Sequence, residues 1–96
     1  MKIWLDDVRK PPEGYTWVKN QAELIVLLES NLEVIEVMSF DHDLGETEPD
    51  GYMIIKHLAN NYLKRWPLEI KVHSANPPGA ANIRAFAEFV KNRLLA

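Results

Sequence analysis

The stretch VIEVMSFDHDLG, residues 34–45, joins an apolar run to a cluster of titratable side chains. The run Val34–Phe40 is apolar on both faces of an extended chain, which is typical of an interior strand in a parallel sheet. Asp41, His42 and Asp43 follow it directly. Because charged groups are rarely buried without a partner, the stretch predicts a site at the end of an interior strand.

Strands and helices alternate along the rest of the chain. β-prone runs predict further strands at Lys2–Leu5, Thr16–Val18 and Glu69–Val72. Apolar spacing predicts three helices, namely residues 21–30 after Asn20, Gly51 to about Trp66, and a last helix with Ile83, Phe86, Ala87, Val90 and Leu94 on one face. The predicted fold is a three-layer α/β sandwich with a four-stranded parallel sheet, in the order 2-1-3-4.

The totals restrict the class of protein. The 96 residues, of which 47% are hydrophobic, predict one domain over residues 1–96. The chain has no cysteine, which excludes zinc–thiolate sites and thiol catalysis and fits an expected cytoplasmic location. The early acids predict no signal peptide, and no apolar run approaches the roughly 20 residues of a membrane span. The net charge of −3 argues against a nonspecific nucleic-acid binder, and no extended nucleic-acid groove is evident.

Polar side chains follow three of the four predicted strands. They are Asp6, Asp7 and Arg9 after the first strand, Asp41, His42 and Asp43 after the third, and His73, Ser74 and Asn76 after the fourth. In open α/β sheets, ligands bind outside the carboxyl ends of the strands, where the strand order reverses. In the order 2-1-3-4 that point lies between the first and third strands, which are the two that end in aspartates.

Aspartates on neighbouring strands about 4.8 Å apart repel one another and need compensation. A hard divalent cation, Mg²⁺ or Mn²⁺, would use the oxygens of Asp6, Asp7 and Asp41 or Asp43. Alternatively, one carboxyl stays protonated, or Arg9 or a histidine pairs with it. The spacing does not decide between Asp41 and Asp43, since residues two apart on a strand point to one face.

Each of these residues also has a simpler interpretation. The Asp6–Asp7 pair is compatible with a solvated strand end, and His42 with a side chain that points into solvent. His73 is compatible with a structural histidine, and Ser74 and Asn76 with ordinary loop residues. The three tryptophans are most simply core or half-buried residues. The coincidence of three strand ends, rather than any one motif, predicts the site.

The motifs LDD at residues 5–7, an aspartate after the third strand and SA at residues 74–75 resemble those of receiver domains, the phosphoacceptor modules of two-component signalling. Asp43 precedes Asp50-Gly51 by the spacing that is typical of a receiver's acceptor aspartate. With its LDDVRKPP, FDHDLG, DGY and HSANPPG motifs, the chain resembles the cyclic-phosphate processing receiver-like domain, a branch found in bacteria and phages.

The resemblance implies a truncated receiver-like fold and a role in processing cyclic phosphate ends, as in RNA repair. It also implies that Asp6 and Asp7 bind metal and that Ser74 is the switch hydroxyl. Two receiver features are missing from these 96 residues: the helix between the first two strands, and the fifth strand with its phosphate-contacting lysine.

Chemistry on a cyclic phosphate needs an activated water, a proton for the leaving oxygen and neutralisation of the phosphoryl oxygens. The expected catalytic residues are His42, His73 and Asp43. The expected phosphate-binding residues are Arg9, Ser74 and Asn76, aided by the amides at the start of the last helix. The expected partner is a phosphate-bearing nucleotide or RNA end.

Three functions remain compatible with the sequence. The first is a metal-assisted phosphoesterase acting on a cyclic or terminal phosphate, with His42 and His73 as acid and base. The second is a signalling module phosphorylated on Asp43, which the missing lysine disfavours. The third is a non-catalytic binding module on a receiver scaffold.

Overall fold

The structure is a computed structural model that describes residues 1–95 of the chain. Its strands and α-helices are β1 (Lys2–Leu5), β2 (Tyr15–Val18), α1 (Gln21–Ser30), β3 (Val37–Phe40), α2 (Gly51–Asn61), β4 (Glu69–Val72) and α3 (Pro77–Arg93), with a 3₁₀ turn at Leu63–Arg65. No helix among the described residues is both long and apolar enough to cross a membrane.

The four strands form one parallel sheet in the order β2-β1-β3-β4, which confirms the predicted order and the receiver-like α/β class. In its register, Leu5 pairs with Phe40, and Phe40 pairs with Val72. The next residue of each strand therefore reaches the same edge of the sheet. That register brings Asp6, Asp41 and His73 together.

Side-chain caps fix the beginning of each helix. Asn20, Asp50 and Asn76 each accept a hydrogen bond from the backbone N–H three residues further on, which satisfies a donor that the helix leaves unpaired. Three predicted boundaries differ, the smallest difference being that β2 begins at Tyr15 rather than at Thr16. α2 ends at Asn61 rather than near Trp66, because the backbone at Tyr62 leaves the helical region and a 3₁₀ turn follows.

The strand predicted from Val34 begins at Val37 instead. The connection before it is held by other contacts: the carbonyl of Val34 accepts from the terminal amino group of Met1, and Arg65 donates to the carbonyl of Glu33. The predicted strand was too long because Val34 is apolar, although its side chain is exposed and does not belong to the core.

The hydrophobic core lies against one face of the sheet, and all three α-helices contribute to it. Its main members are Ile3, Leu5, Val18, Met38 and Phe40 from the strands, and Leu24, Leu28, Ile54, Ile55, Leu58 and Ile83 from the helices. The steps from β2 to β3 and from β3 to β4 cross the sheet in the same direction. Since such crossovers are right-handed, α1 and α2 fall on the same face.

The opposite side of the sheet is called the open face here. Its strand residues are Lys2, Trp4, Tyr15, Trp17, Val37, Ser39, Glu69 and Lys71, which alternate with the core residues. In the described part of the chain this face has no helical layer, which differs from the expected three-layer arrangement. The cause is the connection Asp6–Gly14, which joins β1 to β2 without a helix.

Candidate functional site

The carboxyl ends of β1 and β3 open into a cavity of about 520 Å³. It is lined by Asp6, Asp7, Val8, Arg9, Asp41, Asp43, Gly45 and Ala75. The four aspartates expected to bind metal therefore border one space, together with the arginine expected to contact phosphate. His42 and His73 are not among the lining residues, but each contacts one of them, Asp43 and Asp6 respectively.

Asp6, Asp7 and Asp41 form the tightest acidic group. Each offers one carboxylate oxygen, and these oxygens lie within 4.8 Å of one another. Asp6 and Asp41 are buried, and Asp7 is half-buried. Asp43 stands outside this group, with a side chain that is 67% exposed. Of the two candidates that the sequence left open, Asp41 is the one beside the acid pair.

Asp6 is fully buried and accepts four hydrogen bonds. Its Oδ1 accepts from the backbone N–H groups of Val8 (2.9 Å) and Arg9 (2.8 Å), and its Oδ2 lies 2.8 Å from Arg9 Nε and 3.0 Å from His73 Nε2. Burial alone raises the pKa of Asp6. The backbone hydrogen bonds, with the Arg9 charge and His73, outweigh burial, so the pKa lies below its ordinary value.

Arg9 lies between two acids of the group. Its Nη2 is 3.3 Å from Asp41 Oδ1, while its Nε donates to Asp6. Pairing with arginine was one of the expected ways to compensate the acids. Three ionised carboxylates and one guanidinium carry a net charge of −2. One divalent cation would neutralise that charge.

His73 is held through both ring nitrogens. Its Nε2 contacts Asp6, and its Nδ1 lies 2.7 Å from Ser39 Oγ. The ring stacks on Trp4 with centroids 3.7 Å apart and planes 5° from parallel. Burial lowers the pKa of His73, and attraction to Asp6 only partly offsets it. In the neutral ring, Nε2–H donates to the carboxylate and Nδ1 accepts from the Ser39 hydroxyl.

His42 is held by a loop and two helix ends rather than by the sheet. Its Nδ1 is 2.9 Å from Asp43 Oδ1, and its Nε2 is 3.5 Å from Asp50 Oδ2. Asn76 Nδ2 also lies 3.2 Å from Asp43 Oδ2. The hydrogen bond with His42 is the main cause that lowers the pKa of Asp43. The ring packs against Gly79, where an added Cβ would lie 2.4 Å from His42 Cγ.

The start of α3 was expected to form an anion seat, and its local geometry supplies few free donors. Pro77 and Pro78 have no N–H groups. The amide of Gly79 donates to Asn76 Oδ1 at 3.0 Å, and Ser74 Oγ accepts from the amide of Asn76 at 3.1 Å. These contacts use Ser74 and Asn76 to shape the turn. Arg9 is the expected phosphate ligand that lies in the cavity wall.

Two residues of the site were not singled out from the sequence. Ser39 contacts His73, and Trp4 stacks on it. A weak signal existed for Ser39, since it lies two residues before Asp41 and so points to the same side of β3. The stacking of Trp4 depends on the register of β1 against β3 and β4, which sequence spacing does not fix.

The donor set fits a hard divalent cation. All three acidic groups offer oxygen, the ligand type that Mg²⁺ and Mn²⁺ prefer. Among residues 1–95, the carboxylate of Asp7 makes no hydrogen bond or ion pair, so its oxygens are available to a ligand. Asp6 is already saturated with donors and is better suited to fix Arg9 and His73 around the group.

Comparison with protein families gives one match. The family described as the cyclic-phosphate processing Receiver domain matches residues 1–89. Neither the curated proteins nor the solved structures give a significant match.

Proposed function

The chain belongs to the cyclic-phosphate processing receiver family, and on that basis we propose that it is a metal-assisted phosphoesterase for cyclic or terminal phosphates. The observation that carries the proposal is the convergence of Asp6, Asp7 and Asp41 beside the Arg9 guanidinium in one cavity. Such a site pairs a cation-binding group with an anion-binding group, which is the combination that a phosphate ester needs.

We assign the cation to Asp7 and Asp41, while Asp6, the third carboxylate of the group, holds Arg9 and His73 around it. When bound, Mg²⁺ or Mn²⁺ would act as a Lewis acid on a phosphoryl oxygen. Asp6 holds the Arg9 side chain through Nε, so the guanidinium is fixed before the substrate arrives. The remaining N–H groups of Arg9 would donate to the phosphoryl oxygens.

We assign proton transfer to the pair of Asp43 and His42. The Asp43 carboxylate borders the cavity, and His42 Nδ1 and Asn76 Nδ2 orient it. His42 Nδ1–H keeps the Asp43 carboxylate ionised, so Asp43 would take a proton from the water that attacks phosphorus. The same proton would then pass to the ribose oxygen that leaves as its bond to phosphorus breaks. His73 has a positioning role in this proposal, because its two nitrogens hold Asp6 and Ser39.

The proposal is tested by incubating the protein with a 2′,3′-cyclic nucleotide and Mg²⁺ or Mn²⁺, and following the monoester by phosphorus NMR. We expect turnover that depends on metal and falls at least about 100-fold in Asp41→Asn. Glu88→Gln, an exposed acid on α3, serves as the matched charge control and should turn over normally. No turnover with either metal in a folded preparation would refute the proposal.

A separate measurement of metal binding supports the interpretation of that result. Titration calorimetry with Mn²⁺ should give one site per chain in the parent protein and in Glu88→Gln. Asp7→Asn should weaken this site strongly, since its carboxylate is the one without an internal partner. Equal affinity in Asp7→Asn would place the cation elsewhere.

A phosphoacceptor role is the second candidate, because an aspartate lies next to the acid pair as a receiver requires. The sequence register favoured Asp43, whereas Asp41 is the residue within the acidic group. Incubation with a small phosphodonor and Mg²⁺, followed by intact-mass measurement, tests both positions through Asp41→Asn and Asp43→Asn. An unchanged mass removes this candidate.

A further inference from the structure

The open face combines aromatic and cationic side chains. Trp4, Tyr15 and Trp17 lie on it, each partly exposed. Lys2 Nζ lies 5.8 Å from the centroid of the Tyr15 ring. Aromatic rings next to cations are the elements with which proteins hold single-stranded nucleic acids, because bases stack on the rings and phosphates pair with the cations.

The charge of the open face is opposite to that of the whole chain. Lys2 and Lys71 are exposed on its strands. Lys19 follows β2 and continues the alternation of Tyr15 and Trp17, so it lies on the same side of the sheet. Its Nζ is 4.8 Å from the centroid of the Trp17 ring. Glu69 is the acid among the strand residues of this face. In a chain of net charge −3, this local excess of positive charge favours an anionic occupant over a cationic or neutral one.

The open face is continuous with the acidic site. Asp6, Asp41 and His73 lie two residues beyond Trp4, Ser39 and Lys71 on their strands, so they share that side of the sheet.

Direct contacts join the two regions as well. Trp4 stacks on His73, and Trp17 Nε1 donates to the backbone carbonyl of Asp6 at 2.6 Å. A polymer lying on the open face would therefore deliver its end to the cavity.

We propose that the open face binds the single strand of an RNA whose terminal phosphate occupies the acidic cavity. The inference rests on the proposed function for the identity of the end group, and it names the substrate as an oligonucleotide rather than a free nucleotide. Bases stack on the exposed parts of Tyr15 and Trp17, and Lys2 and Lys71 contact the backbone phosphates. The missing helix between β1 and β2 is what leaves this surface accessible.

The test compares a fluorescein-labelled RNA hexamer ending in a 3′-phosphate with the corresponding mononucleotide, by anisotropy and competition. The hexamer should bind at least about tenfold more tightly than the mononucleotide, since one stacked base already contributes that much. The double variant Lys2→Glu/Lys71→Glu should remove this advantage and reduce the dependence on salt. Lys64→Glu/Lys91→Glu, at exposed positions outside the open face, is the matched control and should retain it.

Tyr15→Ala gives a second variant in which the charge is unchanged, and it should weaken hexamer binding about five- to tenfold. Equal binding of hexamer and mononucleotide, or equal losses in both lysine double variants, would overturn the inference. These binding results do not depend on turnover. Hydrolysis of a cyclic mononucleotide without a hexamer advantage would leave the proposed function standing and refute the inference alone.

The opposite outcome is tighter binding of the hexamer that depends on the lysines of the open face, without hydrolysis of the cyclic mononucleotide. It would support the RNA surface and contradict the esterase.

Discussion

The two histidines of the site are held by different parts of the fold. His73 is fixed by side chains of the sheet, since it contacts Ser39 and Asp6 and stacks on Trp4. His42 contacts Asp43 in the following loop and Asp50 at the start of α2. The two rings are about equally exposed, but His73 contacts the buried Asp6 and Ser39, whereas His42 contacts the largely exposed Asp43 in a loop. We call the first the rigid half, because the sheet register fixes it, and the second the loop half, to which the proposed function assigns proton transfer.

The largest expected effect comes from two glycines, each pressed against one half. A Cβ at Gly51 would lie 2.2 Å from the backbone oxygen of Asp41, whereas at Gly79 it would meet the His42 ring. Backbone cannot move aside as a ring can. We expect Gly51→Ala to lower the free energy of unfolding by about 3 kcal/mol and Gly79→Ala by about 1–2 kcal/mol, measured by denaturant unfolding. Equal losses of stability in the two variants would contradict the distinction between the two halves of the site.

Removing one carboxylate from each half should show the next largest difference. Asp6→Ala leaves the partly buried backbone donors of Val8 and Arg9, as well as the Arg9 and His73 side chains, without their partner, so we expect a loss of about 2–3 kcal/mol. Asp43 is largely exposed, and Asp43→Ala should cost less than about 1 kcal/mol. Thermal and denaturant unfolding of both variants, without metal, provide the measurement. A larger loss in Asp43→Ala would contradict the assignment of the rigid half.

Two serines permit a smaller comparison. Ser39 Oγ is buried against His73, and its removal in Ser39→Ala should cost about 1–2 kcal/mol. Ser74 Oγ accepts one backbone hydrogen bond in a partly exposed turn, so Ser74→Ala should cost about 0.5 kcal/mol. Denaturant unfolding curves of the two variants measure which loses more stability. A greater loss in Ser74→Ala would show that the turn, rather than the sheet, has the tighter packing.

The smallest expected effect is a pH dependence specific to His73. Burial lowers its pKa in the folded protein below the ordinary value of 6.5, so the unfolded chain binds the proton first as pH falls. Stability of the metal-free protein should therefore decline from about pH 6.5 down to the folded pKa. His73→Gln should flatten this part of the curve. An unaltered slope in His73→Gln would show that another group carries it.

The fold and the outline of the site were predictable from the sequence for identifiable reasons. The interior strand and the acids that end β1 and β3 are local features, which can be recognised in the sequence. The alternation of strands and helices then predicts the strand order, and with it the edge of the sheet on which Asp6 and Asp41 meet. The single helical face was also implicit in the connection Asp6–Gly14, because no helix links β1 to β2. The sequence also shows that Pro77 and Pro78 supply no N–H groups at the start of α3.

Contacts that depend on exact register were not predictable. The placement of Asp41 rather than Asp43 in the acidic group depends on side-chain positions across neighbouring strands, as does the contact of His73 with Ser39. Apolar spacing in four-residue strands does not specify those positions, because several registers bury the same side chains.

The short connection between β1 and β2 also bears on the order of folding. Paired residues in β1 and β2 are 13 positions apart (2 and 15), whereas those in β1 and β3 are 35 apart (2 and 37). Closing the smaller loop costs less chain entropy, so we expect the turn with Asp6 and Arg9 to become ordered early and β3 to bring Asp41 later. Higher φ-values for mutations in β2 than for mutations in β3 would support this two-step assembly of the site.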